Sequence, residues 1–171
     1  MMLWLLILIP LLAAPFAWLG QQWSRSAPRM IALGALSVDV LLALFLWNHG
    51  DSVQASGHGS WLVESHISWI PRWGISLHLG LDGLSLILIV LTAFIGVIAT
   101  IASWTEIRSR VGLFHCNVLL ALGGVIGVFL AIDLFLFFFF WELMLIPMYL
   151  LIVIWGHAQR RHASFKFFLF T

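Results

Sequence analysis

Charge is what this sequence of 171 residues has least of: Asp, Glu, Lys and Arg together make up 9% of it, against 63% hydrophobic residues. A water-soluble domain carries about 25% charged residues, and a mean hydropathy of +1.09 excludes one here. Neither sign of charge is in excess. Eight basic and seven acidic residues give a formal net charge of +1, which supplies no field for nucleic acid and no basic tail for a membrane surface. A lone cysteine, Cys116, makes neither an internal disulfide nor a thiolate metal site. His49, His58, His66 and His78 have no close ligand spacing, so no metal is expected.

Long apolar runs are what the sequence has instead. Five of them, at residues 1–19, 30–47, 84–102, 113–132 and 134–155, each approach the roughly 20 residues that cross about 30 Å of hydrocarbon. No Lys or Arg precedes the apolar part of the first, so it is expected to be a retained span and not a signal peptide. Only Asp133 separates the last two. A single helix through both would have about 43 residues and reach about 65 Å, so the chain is expected to double back at Asp133. The fold class is therefore all-α and polytopic, with five transmembrane helices.

Connections 21–29, 103–110 and 156–166 fall on one side of such a bundle and hold Arg25, Arg29, Arg108, Arg110, Arg160, Arg161 and Lys166. The other side has only Arg72. Basic residues mark the cytoplasmic side, which puts the N-terminus outside. Trp4, Trp18, Trp47, Trp104 and Trp155 lie near span ends, as interfacial tryptophans do. The long connection 48–82 is then external. It starts with the Gly/Ser-rich GDSVQASGHGS, and the later part has strand chemistry. Residues 61–70 are rich in β-formers, Pro71-Arg72-Trp73-Gly74 is a turn signal, and Ile75, Leu77, Leu79 and Leu81 alternate with Ser76, His78 and Gly80. The pattern predicts a short external β-hairpin, with Asp82 as the N-cap of the next helix. Trp61, Trp69 and Trp73 give it rigid aromatic surface suited to contact with another subunit.

Two acids lie inside spans. Glu142, nine residues past Asp133, is expected at about 13 Å depth, near the midplane; Asp39 reaches a similar depth. Each costs about 2.5–3.5 kcal/mol at the helix centre, and intramembrane ionisable groups mark functional sites by default. The run FLFFFFW before Glu142 offers no side-chain partner but the Trp141 indole, so an ionised Glu142 needs a cation from elsewhere. Glu142 is the candidate proton relay. Tyr149, seven residues on, shares its face, and Pro147 cannot donate to the Leu143 carbonyl and so bends the helix beside the acid. Both also have an ordinary packing explanation. Asp39 has small neighbours in Gly34, Ala35 and Ser37 that favour a local structural hydrogen bond in a close helix contact. His115 is read chiefly as an interfacial snorkelling residue, with proton feeding as its functional alternative. Gly123, Gly124 and Gly127 are read as close helix packing.

IPRWGISLHLGLDGLSLILIVLT, followed by GGVIGVFLAIDLFLFFFFWELMLIPMYLLIVIWG, resembles the chain M (chain 4) family of antiporter-like subunits of the proton-translocating NADH:quinone oxidoreductase, respiratory complex I. The resemblance runs along all 171 residues. It implies a non-redox, multi-pass subunit of the bacterial inner membrane that moves protons, beside neighbouring antiporter-like and other membrane subunits. Flavin, iron-sulfur clusters and quinone belong to partner subunits, with no cofactor in this chain. It also implies that Glu142 pairs with a lysine on a later broken helix, and that these residues are the N-terminal part of a bundle of about fourteen helices, a sixth span starting at about residue 165. Asp39 is no part of the family pattern. Two other functions suit the same residues: a subunit of a multisubunit cation/proton antiporter, and a passive anchor or assembly subunit in which Glu142 only holds helices together. Topology is open to direct test: cysteines placed in the 48–82 connection should react with an impermeant reagent from outside, and one beside Arg160 only from the cytoplasm. Reactivity at position 58 from the cytoplasm would overturn the five-span arrangement.

Overall fold

The computed structural model describes residues 2–53, 61–70, 72 and 74–171. Its elements are α1 (Met2–Gly20), α2 (Ala27–Val53), β1 (Val63–Ile70), β2 (Ile75–Leu81), α3 (Gly83–Glu106), α4 (Val111–Leu130), α5 (Leu134–Trp155) and α6 (Arg160–Phe170). Helices α1 to α5 are long and apolar enough to cross a membrane, α2 through Ala27–Asn48. Hydrocarbon leaves a spanning backbone no partner but itself, which is why these runs are helical.

Aspartates set where two of the helices begin. Asp133 caps α5, its Oδ1 accepting from the backbone N–H of Phe135 at 2.8 Å and of Leu136 at 3.3 Å. Asp82 caps α3, accepting from Ser85 N–H at 2.7 Å. With α4 ending at Leu130, the two final apolar runs form an antiparallel pair folded around Asp133.

At one end of the bundle lies the hairpin. β1 and β2 pair antiparallel from Val63↔Leu81 to Ile70↔Ile75, with an irregularity between Ser68 and Ile70 and Gly74 in the left-handed region at φ 67°. Pro71, Trp73 and residues 54–60, including His58, lie outside the described residues. The free edge of β2 receives the α4–α5 link: Leu79 pairs with Ala131, and the Ile132 N–H donates to the His78 carbonyl at 3.0 Å. Asp133 Oδ2 accepts from Ser76 N–H (3.4 Å) and Ser76 Oγ (3.3 Å). Desolvation is the largest single influence and works to raise the Asp133 pKa, but the bonds from Phe135, Leu136 and Ser76 together outweigh it and hold the carboxyl below its ordinary range. The Trp4 indole N–H donates to Ser65 Oγ at 3.1 Å, tying α1 to β1. The hairpin is thus a plug: Leu79 and Leu81 are fully buried, in one core with Leu3, Leu6, Ile7, Leu86, Ile89 and Leu130.

The opposite end is the basic one. Gln21 Oε1 accepts from Gly112 N–H at 2.7 Å, Arg29 Nη2 donates to the Ile107 carbonyl at 3.0 Å, and the Trp155 indole donates to the Ser109 carbonyl at 3.3 Å. Arg25, Arg108, Arg110, Arg160 and Arg161 lie in or beside the same connections.

Helix α4 packs on α1, α2, α3 and α5 and is the most enclosed span, whereas α5 is the least enclosed. Small residues let α4 and α5 meet closely. A Cβ on Gly127 would enter the Phe140 ring, and one on Gly124 would stand 2.9 Å from Met144 Cβ. In a bilayer, where lipid is as apolar as leucine, such close van der Waals contact is a main source of helix association. Gly127→Leu should therefore force α5 off α4, lowering stability by about 1–3 kcal/mol as overpacking does, seen as a reduced thermal midpoint of the solubilised protein. Unchanged melting would show that the α4–α5 contact contributes little.

Candidate functional site

Glu142 follows Leu134 by eight residues, about 12 Å into α5. Leu136, Phe140, Leu145 and Pro147 form the buried side of this helix. Glu142 is on the other side and exposed, in a stripe with Phe135, Phe138, Phe139 and Ile146, which are 44%, 54%, 53% and 61% exposed. No hydrogen bond or ion pair reaches it among the described residues. An acid at this depth facing lipid is costly, and Glu142 is exposed on α5 among the described residues.

Pro147 is buried one turn further on and leaves the Leu143 carbonyl without its helical donor. Tyr149 is half-buried, with its ring packed on Phe168 of α6 at 5.7 Å. Seven residues of helix put it about 10 Å from Glu142 along the axis, so the two share a side without touching.

Asp39 and His115 lie elsewhere. α5 packs on α4 and α6, while α2 packs on α1, α3 and α4, so Asp39 is on the far side of α4 from the Glu142 face. It is 0% exposed, and neither carboxylate oxygen has a hydrogen-bond partner among the described residues. The expected local hydrogen bond is absent, and Gly34 faces open space and no close neighbour. His115 is 0% exposed as well. It does not snorkel: Nδ1 bonds the Val111 carbonyl at 2.9 Å, and Nε2 is buried without a partner. The ring is turned into the bundle, where α4 packs on α1, α2 and α3.

Sequence reasoning missed the buried polar residues Thr100 and Ser103 on α3 and Asn117 on α4. Thr100 and Ser103 continue the phase of Leu86, Ile89, Ala93 and Gly96, all buried at spacings of three and four, so helical phase was the signal that would have found them. Their hydroxyls, and the Asn117 amide, bond carbonyls of their own helices. Among the described residues no three His, Cys, Asp or Glu side chains gather as metal ligands.

These features define a polytopic helical membrane protein. Residues 131–171, which include Glu142, match the family described as "NADH:quinone oxidoreductase/Mrp antiporter, TM". The chain is 49% identical to NADH-quinone oxidoreductase subunit M of Pseudomonas aeruginosa, covering 97% of this chain and 34% of that protein. It is 40% identical to NAD(P)H-quinone oxidoreductase chain 4 1 of Synechococcus elongatus, over 97% of this chain and 30% of that one. Its fold matches a chain of respiratory complex I from Thermus thermophilus with bound NADH at a TM-score of 0.79 and 26% identity, covering 99% of this chain and 32% of that one. An archaeal membrane-bound sulfane sulfur reductase shares the fold at a TM-score of 0.78 and 21% identity, over 98% of this chain and 33% of that one. Over nearly its whole length the chain is similar to subunit M proteins of NADH-quinone oxidoreductase. It spans about a third of the length of the relatives it matches. A photo-reactive amino acid at Phe139 should crosslink to protein and not to lipid in the assembled full-length subunit. Lipid adducts alone would show the Glu142 face to be bare.

Proposed function

We propose that the chain is the N-terminal part of an antiporter-like membrane domain that translocates protons for an NADH:quinone oxidoreductase, with Glu142 as its relay carboxylate. The observation that carries this is an acid about 12 Å inside α5, exposed on a face that no described helix covers. Family similarity supports the assignment, because the match over residues 131–171 includes Glu142. In this reading the subunit is itself non-redox. Flavin, iron-sulfur clusters and quinone are held by partner subunits of a bacterial inner-membrane complex. Neighbouring antiporter-like subunits meet the aromatic hairpin at Trp61 and Trp69, which are 37% and 55% exposed.

The chemistry follows from dielectric surroundings. A cation beside Glu142 favours the carboxylate, and its withdrawal leaves desolvation to favour the acid, so a small displacement decides which protonation state wins. The family resemblance assigns the cation to a lysine on a later helix. Pro147 and Tyr149 act in support, the first by freeing the Leu143 carbonyl for a water, the second by fixing α5 against α6 through Phe168. A second reading, a subunit of a multisubunit cation/proton antiporter, is favoured by the family description, which joins both kinds of protein. Co-purification with flavin and iron-sulfur subunits separates the two.

Glu142→Gln keeps the shape and removes the titrating group. In membrane vesicles normalised to assembled complex, it should abolish or greatly reduce proton pumping and coupled quinone reduction, while peripheral NADH oxidation persists. Glu142→Asp should retain part of the activity. Full pumping by the Gln variant would leave Glu142 a structural anchor.

A further inference from the structure

Asp39 poses a problem that the remainder of a longer subunit does not solve. Glu142 is open to whatever covers α5, but Asp39 is already 0% exposed, enclosed by helices among which its two oxygens have no partner. The helices packed on α2 supply no cation. α1 has no titratable side chain, α3 only Glu106 at its basic end, and α4 only His115 and Cys116. On α2 itself the nearest charge is Arg29, about 15 Å away along the axis. Its Nη2 donates to the Ile107 carbonyl, its Nε is buried without a partner among the described residues, and its guanidinium carbon lies 5.3 Å from the Trp104 ring centroid, on the His115 side of the bundle. An ionised carboxylate buried in this way leaves its charge uncompensated, and a neutral acid does not.

A second unpartnered group lies nearer the basic end. Because the Val111 carbonyl can only accept, His115 Nδ1 carries the proton of that bond, and the neutral ring presents Nε2 as a buried acceptor. Asp39 is about 18 Å and His115 about 6 Å from the basic ends of their helices, with Thr100 at an intermediate depth of about 9 Å. All three are buried on α2, α3 and α4, which pack together. This arrangement belongs to this chain's first four helices and is separated by α4 from the Glu142 face.

We propose that Asp39 is a second intramembrane proton-carrying group, held as a neutral acid and loaded from the basic end through His115 and bridging water. A hydronium ion at the basic end gives its proton to His115 Nε2 and leaves as water, while the Nδ1 proton stays on the Val111 bond. The Nε2 proton then moves through hydrogen-bonded water to the Asp39 carboxylate, and His115 returns to its neutral form. The functional part of this inference rests on the proton-translocation reading above; the protonated state of Asp39 does not.

The test uses the full-length subunit in its assembled complex, with carboxyl-labelled aspartate. The infrared difference between the wild type and Asp39→Asn should contain a carboxylic-acid carbonyl band at neutral pH that shifts in deuterium oxide. His115→Gln should slow that shift about tenfold or more. Asp39→Asn, isosteric with the neutral acid, should assemble normally and lose about a hundredfold of proton uptake, the lower end for a positioned acid–base group. Carboxylate bands in place of the acid band, or loss of the acid band on adding sodium, would overturn the proposal. So would failure of Asp39→Asn to assemble, an unshifted band, or full pumping by this variant. Glu142→Gln measured in parallel keeps the two ideas apart: normal pumping there, with the Asp39 band intact, removes the Glu142 relay alone.

Discussion

Hydrocarbon donates and accepts no hydrogen bonds, and most of this structure follows from that constraint. Backbone groups are consumed inside helices, and the hydroxyls of Thr92, Thr100 and Ser103 turn back onto their own carbonyls. Asp82 and Asp133 are placed at helix starts, where backbone N–H groups receive them. Even the loose edge of β2 is occupied, by the link between α4 and α5. Against this background the side chains that break the rule are few. Among the described residues they are the two carboxylates at depth, the inner nitrogen of one histidine and Arg29 Nε.

The two acids break it in opposite ways. Asp39 is sealed among helices that bring it no cation, so its environment selects the proton-bound form. Glu142 stands on the least enclosed span with only apolar side chains beside it among the described residues, so its environment is decided by whatever closes over it. An enclosed acid has one resting state and can leave it only through its buried neighbours. An acid on a face completed by other protein can be switched directly by whatever closes over it.

Much of the architecture was legible because lengths and charges survive any packing. The five runs, the turn at Asp133, the hairpin with its Gly74 corner and the gathering of basic side chains at one end all follow from counting residues against bilayer thickness and from turn chemistry. Which face of each helix looks inward was not legible. A soluble helix marks its buried stripe by the contrast between apolar and polar residues; in α5 nearly every residue is apolar and that contrast vanishes. Small residues were the surviving marks, as Gly124 and Gly127 against α5 show. The enclosure of His115 and Asp39 depends on neighbours distant in sequence, so a reading by position along the chain put His115 at the interface. The hairpin's strands were readable from alternation, but its role as a plug came from Leu79 and Leu81 meeting α1, α3 and α4.

Strand β2 touches the beginnings of two helices at once, continuing into the Asp82 cap of α3 and holding Ile132 and Asp133 before α5. Sliding of α5 along its axis would break these bonds together, whereas a small tilt about its first turn preserves them. The hairpin end is thus a fulcrum, and displacement grows along the helix away from it. A tilt of about 5° moves Glu142, about 12 Å from the pivot, by about 1 Å, and moves Trp155 at the far end by more than twice as much. Mechanical strain arriving at the basic end of α5 is therefore geared down before it reaches the acid.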